Sequence, residues 1–302
     1  MVLERRTHLF IDIHVHITRS RTVTRPNGGT YPTPDEMIRK LDEAGIDKAV
    51  VLPMPIPEGN HRHVSTEDVL EVAAAYPDRF IPFCNLDPRQ INNSPDVNFM
   101  PHLEYYKAAG CKGVGEMTAN LAFDDPLVEN LLRQIEAAGL PMIFHIGPRF
   151  GGCYGLVDDL HLPKLEKTLR VHPKLILLGH SQPFWSEISA DVTVENRNTY
   201  PKGKVTPGRV PELMRKYPNL HGDLSAGSGY NAVSRDLDFG YQFLEEFQDR
   251  LLFGTDICAL HNDTPLVPFL KSAVEGGHIS REAFEKITWR NADRLLGLGL
   301  DG

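Results

Sequence analysis

The chain has 302 residues, 41% hydrophobic and 24% charged, a composition that suits a globular protein with a core large enough to need no staples. A net charge of −8 without a basic block argues against a nucleic-acid partner. No run approaches the roughly 18 apolar residues of a membrane span, and the expectation is a cytoplasmic protein acting on a small molecule.

In chain order, eight short apolar runs are predicted as strands, starting near Leu9, Ile46, Arg79, Cys111, Leu140, Leu175, Leu220 and Arg250. Amphipathic helices separate them. Some end in Gly, as in EAGIDKAVVLP, AAGCKGVGE and AAGLPMIFHIG; others end before Pro, as in AAYPDRFIPFCNLD, RVHPKLILLGHS and RKYPNLHGDLSA. Glycine accepts the left-handed conformation past a helix, and proline cannot continue one. Helix starts are marked by Thr33-Pro34-Asp35-Glu36, a capping box with proline at the first helical position, and by Ser65 with Asp68. The closing SREAFEKITWRNADRLLGL reads as two further helices. The strand runs are nearly continuous in Val, Ile, Leu and Phe, the pattern of parallel strands buried on both faces.

Strands spaced by about thirty residues fit repeated βα units. An open doubly wound sheet would carry a Gly-rich phosphate loop after its first strand, and ITRSRTVTRPNGG is not one. The predicted fold is therefore a distorted TIM (β/α)8 barrel, with residues 1–302 forming one domain. The four cysteines, Cys84, Cys111, Cys153 and Cys258, form no CxxC pair and are expected to be free thiols.

Barrel chemistry collects at the C-terminal ends of the strands. Those ends carry His14 and His16, then Asn85 and Asp87, Glu116, His145, His180, Asp223 with Ser225, and Asp256. Residues i and i+2 of a strand face one side, so His14 and His16 can grip one ion. A single histidine in an apolar strand is ordinarily a packed core residue. Four of them with Glu116 and Asp256, all at strand ends, point instead to a metal centre. A set of imidazoles and carboxylates without thiolate suits zinc, with Mn, Fe or Ni as alternatives. His61 and His63 lie in the polar stretch EGNHRHVSTED and are read as a solvated loop, with a substrate-loop role as the alternative; His8 and His221 are read as surface or helix-end residues, with support of the site beside Asp223 as the alternative for His221.

IDIHVH, FHIG, LLGHS and FGTD, followed by NADRLLGL, resemble the amidohydrolase superfamily, and more narrowly its amidohydrolase-related branch, which includes aminocarboxymuconate semialdehyde decarboxylase. The resemblance implies His14, His16, His145 and Asp256 as metal ligands, with His180 a second-metal ligand or a catalytic imidazole. Glu116 resembles the fourth-strand glutamate that bridges two metals in TatD-type members. The carboxylated lysine of other members has no counterpart at that strand end, since Lys112 lies at its beginning; one ion or two is left open. Family members often form dimers, which implies a homodimer.

The expected chemistry is hydrolysis of an amide, lactone or ester-like bond, with Asp256 and His180 as catalytic groups. Non-oxidative decarboxylation of an unsaturated or aromatic acid is the alternative, and a non-catalytic metal-binding role the third. Arg149 and Arg89 are expected to grip a substrate carboxylate. Tyr154, in the Gly-rich loop RFGGCYGLVDDL, and Trp185 are assigned to the substrate pocket. The long segment SQPFWSEISADVTVENRNTYPKGKVTPG is the predicted lid.

Overall fold

The computed structural model describes residues 9–21, 23–25 and 28–300; His8 lies outside them. The strands are β1 (Ile11–Val15), β2 (Lys48–Val51), β3 (Phe80–Pro82), β4 (Val114–Met117), β5 (Met142–Gly147), β6 (Leu156–Val157), β7 (Leu177–His180), β8 (Leu220–Asp223) and β9 (Leu251–Leu252). They pair in parallel as β1-β2-β3 and as β4-β5-β7-β8-β9. Backbone hydrogen bonds join the two ladders into a ring. Cys84 N donates to Gly113 O and Gly115 N to Cys84 O; at the other seam Ile13 N donates to Phe253 O and Asp256 N to His14 O. This is the predicted TIM barrel, with eight strand positions where the sequence placed them. The exception is β6, a short addition inside the loop after β5 that pairs with β5 itself.

The helices form because their ends are capped and one face is apolar. Helix Pro34–Ala44 opens on the full Thr33–Glu36 capping box and stops at Gly45, φ 76°. Ser65 and Asp68 make the same reciprocal pair at helix Thr66–Ala75. The terminal helices are one nearly continuous rod, Arg281–Glu285 and Asn291–Leu296 joined through a π-helical turn at Lys286–Arg290.

Two apolar clusters divide the core. The larger lies between the strands and the helices. The smaller fills the barrel with Ile11, Ile13, Val50, Leu52, Ile81, Phe83, Ile143, Leu178 and Leu252, and is closed by Ala292 and Leu296 from the last helix. No helix among the described residues is long and apolar enough to cross a membrane.

Candidate metal centre

On β1 the alternation of side chains changes phase. Ile11 and Ile13 belong to the barrel interior, whereas Val15 and Ile17 pack in the outer cluster. The pairing register with β2 shifts between Asp12 and Val15, an irregularity of the kind that re-aims side chains. Both histidines are thereby brought to the barrel mouth. Buried Asp12 holds the segment, accepting from His14 N at 2.9 Å, Thr255 N at 3.0 Å and Thr255 Oγ1 at 2.5 Å.

The donor atoms converge closely. His14 Nε2 and His16 Nε2 are 3.1 Å apart. Glu116 Oε2 lies 3.6 Å from the first and 3.5 Å from the second, and Asp256 Oδ1 lies at the same two distances. Ligands about 2.1 Å from a tetrahedral ion stand about 3.4 Å from one another, so these four atoms fit an ion of zinc's size. The other oxygen of each carboxylate faces a second cluster. Glu116 Oε1 is 2.7 Å from His145 Nδ1 and 3.7 Å from His180 Nε2, and Asp256 Oδ2 is 3.8 Å from His180 Nε2. Among the described residues, His14, His16 and Asp256 form one metal-competent group and Glu116, His145 and His180 another.

A layer behind these residues sets their orientation. Asp223 Oδ2 is 2.7 Å from His14 Nδ1, and Ser225 Oγ is 2.9 Å from His180 Nδ1. Each contact leaves Nε2 facing the cluster, the arrangement that fixes a ligand's tautomer. Asp223 was seen at its strand end but given no role by the sequence; its position beneath His14 required the fold. Burial opposes charge on His14, but Asp223 and Asp256 outweigh it and hold the imidazolium well above its usual range. His180 is pushed down to about 4, by burial first and then by the charge on His14. Burial would raise Glu116, yet its histidine partners keep the carboxylate well below the usual range.

Two glycines make the geometry feasible. A Cβ on Gly115, φ 137°, would lie 2.7 Å from Ile143 O, so only glycine lets β4 bring Glu116 this close to β5. A Cβ on Gly155, φ 102°, would lie 2.7 Å from His145 Cδ2.

Two cavities open above the cluster. One, about 480 Å³, is lined by His16, Arg25, Tyr31, His61, Glu116 and Asp256 among others. The other, about 580 Å³, is lined by His145, Cys153, Tyr154, Gln182 and Asn198. Tyr154 and Glu58 line both. The Tyr154 ring stands 4.4 Å from that of His145, which agrees with its predicted place at the pocket.

Other expected substrate contacts fall elsewhere. Trp185 is 2% exposed, packed against Phe184 and Phe243 with its indole N–H donated to Asp223 O; it is a core residue beneath the site. Arg89 is held by Glu58 at 2.6 and 2.8 Å and by Asp87 at 2.8 Å, so its fork is already occupied. Arg149 is exposed and lines neither cavity. The expected lid segment lends Gln182 and Asn198 to the second cavity and is anchored at its base: Arg197 is buried with Nη1 donating to Asp158 O, Ser186 Oγ donates to Arg197 O, and Ser189 bridges to Pro207. Conversely, His61, read as solvated, lines the cavity. Lys112 spends its backbone N–H on Pro82 O at the start of β4, away from the cluster.

A parallel barrel with imidazoles and carboxylates gathered at its strand C-termini defines a metal-binding barrel enzyme. The particular family follows from the sequence: the amidohydrolase family model matches residues 11–298, and the chain belongs to that family. Solved structures carry the same fold. An uncharacterised TIM-barrel protein of Bordetella bronchiseptica is 21% identical with a TM-score of 0.65, over 95% of this chain and 98% of that one. A dihydroxybenzoic acid decarboxylase from Polaromonas, solved with manganese and 2-nitroresorcinol, is 17% identical with a TM-score of 0.62, over 96% and 97%. A probable 2-pyrone-4,6-dicarboxylic acid hydrolase of Acinetobacter baumannii is 16% identical with a TM-score of 0.57, over 95% and 99%. No curated protein matches the chain.

Proposed function

We propose that this enzyme is a two-ion, metal-dependent hydrolase that cleaves an amide, lactone or ester-like bond of a small molecule, with zinc the first-choice ion. The observation that carries the reading is that Glu116 and Asp256 each turn one oxygen to His14 and His16 and the other towards His180. When bound, such ions polarise a carbonyl and make water a competent nucleophile near neutral pH.

The chain's own residues supply the rest. The Asp256 side chain is 25% exposed while its neighbours in the cluster are nearly closed off, so it is the carboxylate a substrate can reach. It accepts the proton of the attacking water and returns it to the leaving group. His180, kept neutral by burial and held at Nδ1 by Ser225, offers Nε2 to the second cluster; with one ion only, that nitrogen is free to hydrogen-bond a developing oxyanion. Tyr154 walls the cavity beside His145 and narrows water access.

The barrel neighbour that decarboxylates a dihydroxybenzoic acid motivates the competing chemistry, which the same ligands could serve. Both are tested together. The purified chain, reconstituted with zinc or manganese, is assayed on lactone, amide, ester and aromatic-acid panels. Hydrolysis with two bound ions supports the proposal; CO₂ release from an aromatic acid without hydrolysis replaces it. Intact metal content and activity in a His14→Ala, His16→Ala double variant would remove the metal reading altogether.

A further inference from the structure

Arg25 is the cation that lines the cavity beside the metal cluster, and it is surrounded by neutral groups. Its Nε donates to His61 Nδ1 at 3.1 Å, its Nη1 to Cys258 Sγ at 3.3 Å, and its guanidinium lies 5.1 Å from the Tyr31 ring centre. Among the described residues no carboxylate comes within ion-pairing distance of it. Glu58, the acid on the same wall, is taken by Arg89.

Two further polar atoms in this cavity lack an acceptor. Both atoms are buried: the Tyr31 hydroxyl faces the Arg25 guanidinium but donates to nothing, and His61 Nε2 has no hydrogen bond. Because His61 Nδ1 accepts from Arg25, its proton resides on Nε2, which is therefore a donor. Burial, then the charges of Arg25 and Arg62, hold His61 below its usual range and keep it in this neutral form. A buried donor without an acceptor is costly, so two of them beside a guanidinium that has no counter-charge call for a ligand. The donors adjoin the cluster: the Tyr31 ring is 4.4 Å from that of His61 and 5.8 Å from that of His16.

We infer that Arg25, His61 and Tyr31 form the recognition site for a substrate carboxylate, one aromatic ring away from the metal cluster. The inference rests on the reading of this cavity as the substrate cavity and adds the place where the carboxylate of a small acid substrate is held, in the stead of the expected Arg89 and Arg149. A planar monoanion fits better than phosphate, because a guanidinium fork matches a carboxylate and the same cavity holds the acids Glu58, Glu116 and Asp256.

The test is calorimetric titration of the metal-reconstituted chain with acetate, succinate and benzoate, with benzamide as the neutral counterpart of benzoate and inorganic phosphate as a second anion. At least one carboxylate should bind, benzoate more tightly than benzamide and every bound carboxylate more tightly than phosphate. Arg25→Met should lose at least tenfold in carboxylate affinity with metal content unchanged. Tyr31→Phe and His61→Leu should each lose severalfold, and His61→Gln, which keeps an N–H near the Nε2 position, should recover most of its share. The inference is overturned by failure of all three carboxylates to bind, by tighter phosphate binding, or by unaltered carboxylate affinity in Arg25→Met. Carboxylate binding that vanishes only in the metal-depleted His14→Ala, His16→Ala protein and not in Arg25→Met would place the anion on the ions and equally overturn it. Arg25-dependent binding in a protein that hydrolyses nothing would sink the hydrolase reading and leave this inference standing.

Discussion

At the scale of single residues, the site depends on groups packed behind the converging Nε2 and carboxylate donors. Asp223 is fully buried beneath His14, and its short contact with Nδ1 selects the tautomer that presents Nε2. Asp223→Asn can accept that hydrogen bond but removes the charge, and loss of such an orienting carboxylate commonly costs 10–100-fold in metal affinity. Competition with a chromophoric chelator should show a loss of about that size with the fold intact by circular dichroism. A second residue makes a pH prediction. His221 pairs in register with Leu178 of the barrel interior, and its Nδ1 is buried without a partner. Burial, followed by the nearby charges of Arg250 and Arg294, pushes it down to about 3. The unfolded chain takes up this proton near pH 6.5 and the folded chain does not, so His221 costs no stability above that pH and progressively more as pH falls from about 6.5 towards 3. The slope is at most about 1.4 kcal/mol per pH unit, reduced by the solvent that reaches a partly buried ring. In urea titrations from pH 7 to pH 4.5, His221→Gln should lose stability less steeply than the parent; parallel curves would refute the assignment.

At the scale of elements, the β4–β5 contact and the β1 irregularity decide where the ligands point. Gly115→Ala would force a methyl against Ile143 O at a positive φ, at an expected cost of about 1–3 kcal/mol. Because Glu116 is the next residue, the variant should lose metal affinity as well as stability. Thermal melts together with metal analysis check this, and a destabilised variant that holds its full complement of ions would show that Glu116 tolerates movement of β4. The helix starts are simpler. Ser65→Ala removes a cap that accepts from Asp68 N at 3.1 Å and should cost about 1 kcal/mol in urea denaturation without changing metal content.

At the scale of the whole molecule, the donor cluster draws on β1, β4, β5, β7 and the segment after β9, so ions held there would bind the folded ring and not the open chain. Chelation should therefore lower Tm. At an ion concentration of about 100 Kd, linkage gives about 2.7 kcal/mol, or about 4 °C for a chain of this size, read by calorimetry with and without chelator. An unchanged Tm would argue against occupied sites. The fold was legible in the sequence because helix stops, caps and doubly buried strands are local chemistry, repeated eight times between Leu9 and Arg250. So was the set of donor groups that the fold gathers at the barrel mouth, since a histidine or carboxylate ending an apolar strand is visible without coordinates. What lay beyond the sequence is every contact between distant loops. Arg89 and Arg149 were the arginines expected to grip a carboxylate and Arg25 was not singled out, and only the fold shows Glu58 closing on the first, solvent around the second and two unsatisfied polar atoms beside the third. The same holds for Trp185, buried beneath the site where a pocket wall was expected, and for Asp223 beneath His14. Local sequence determined the barrel and the polar residues at its strand ends because backbone propensity and burial act over a few residues. Tertiary structure alone decided which charges are paired, because a salt bridge or hydrogen bond depends on positions that the chain brings together from far apart.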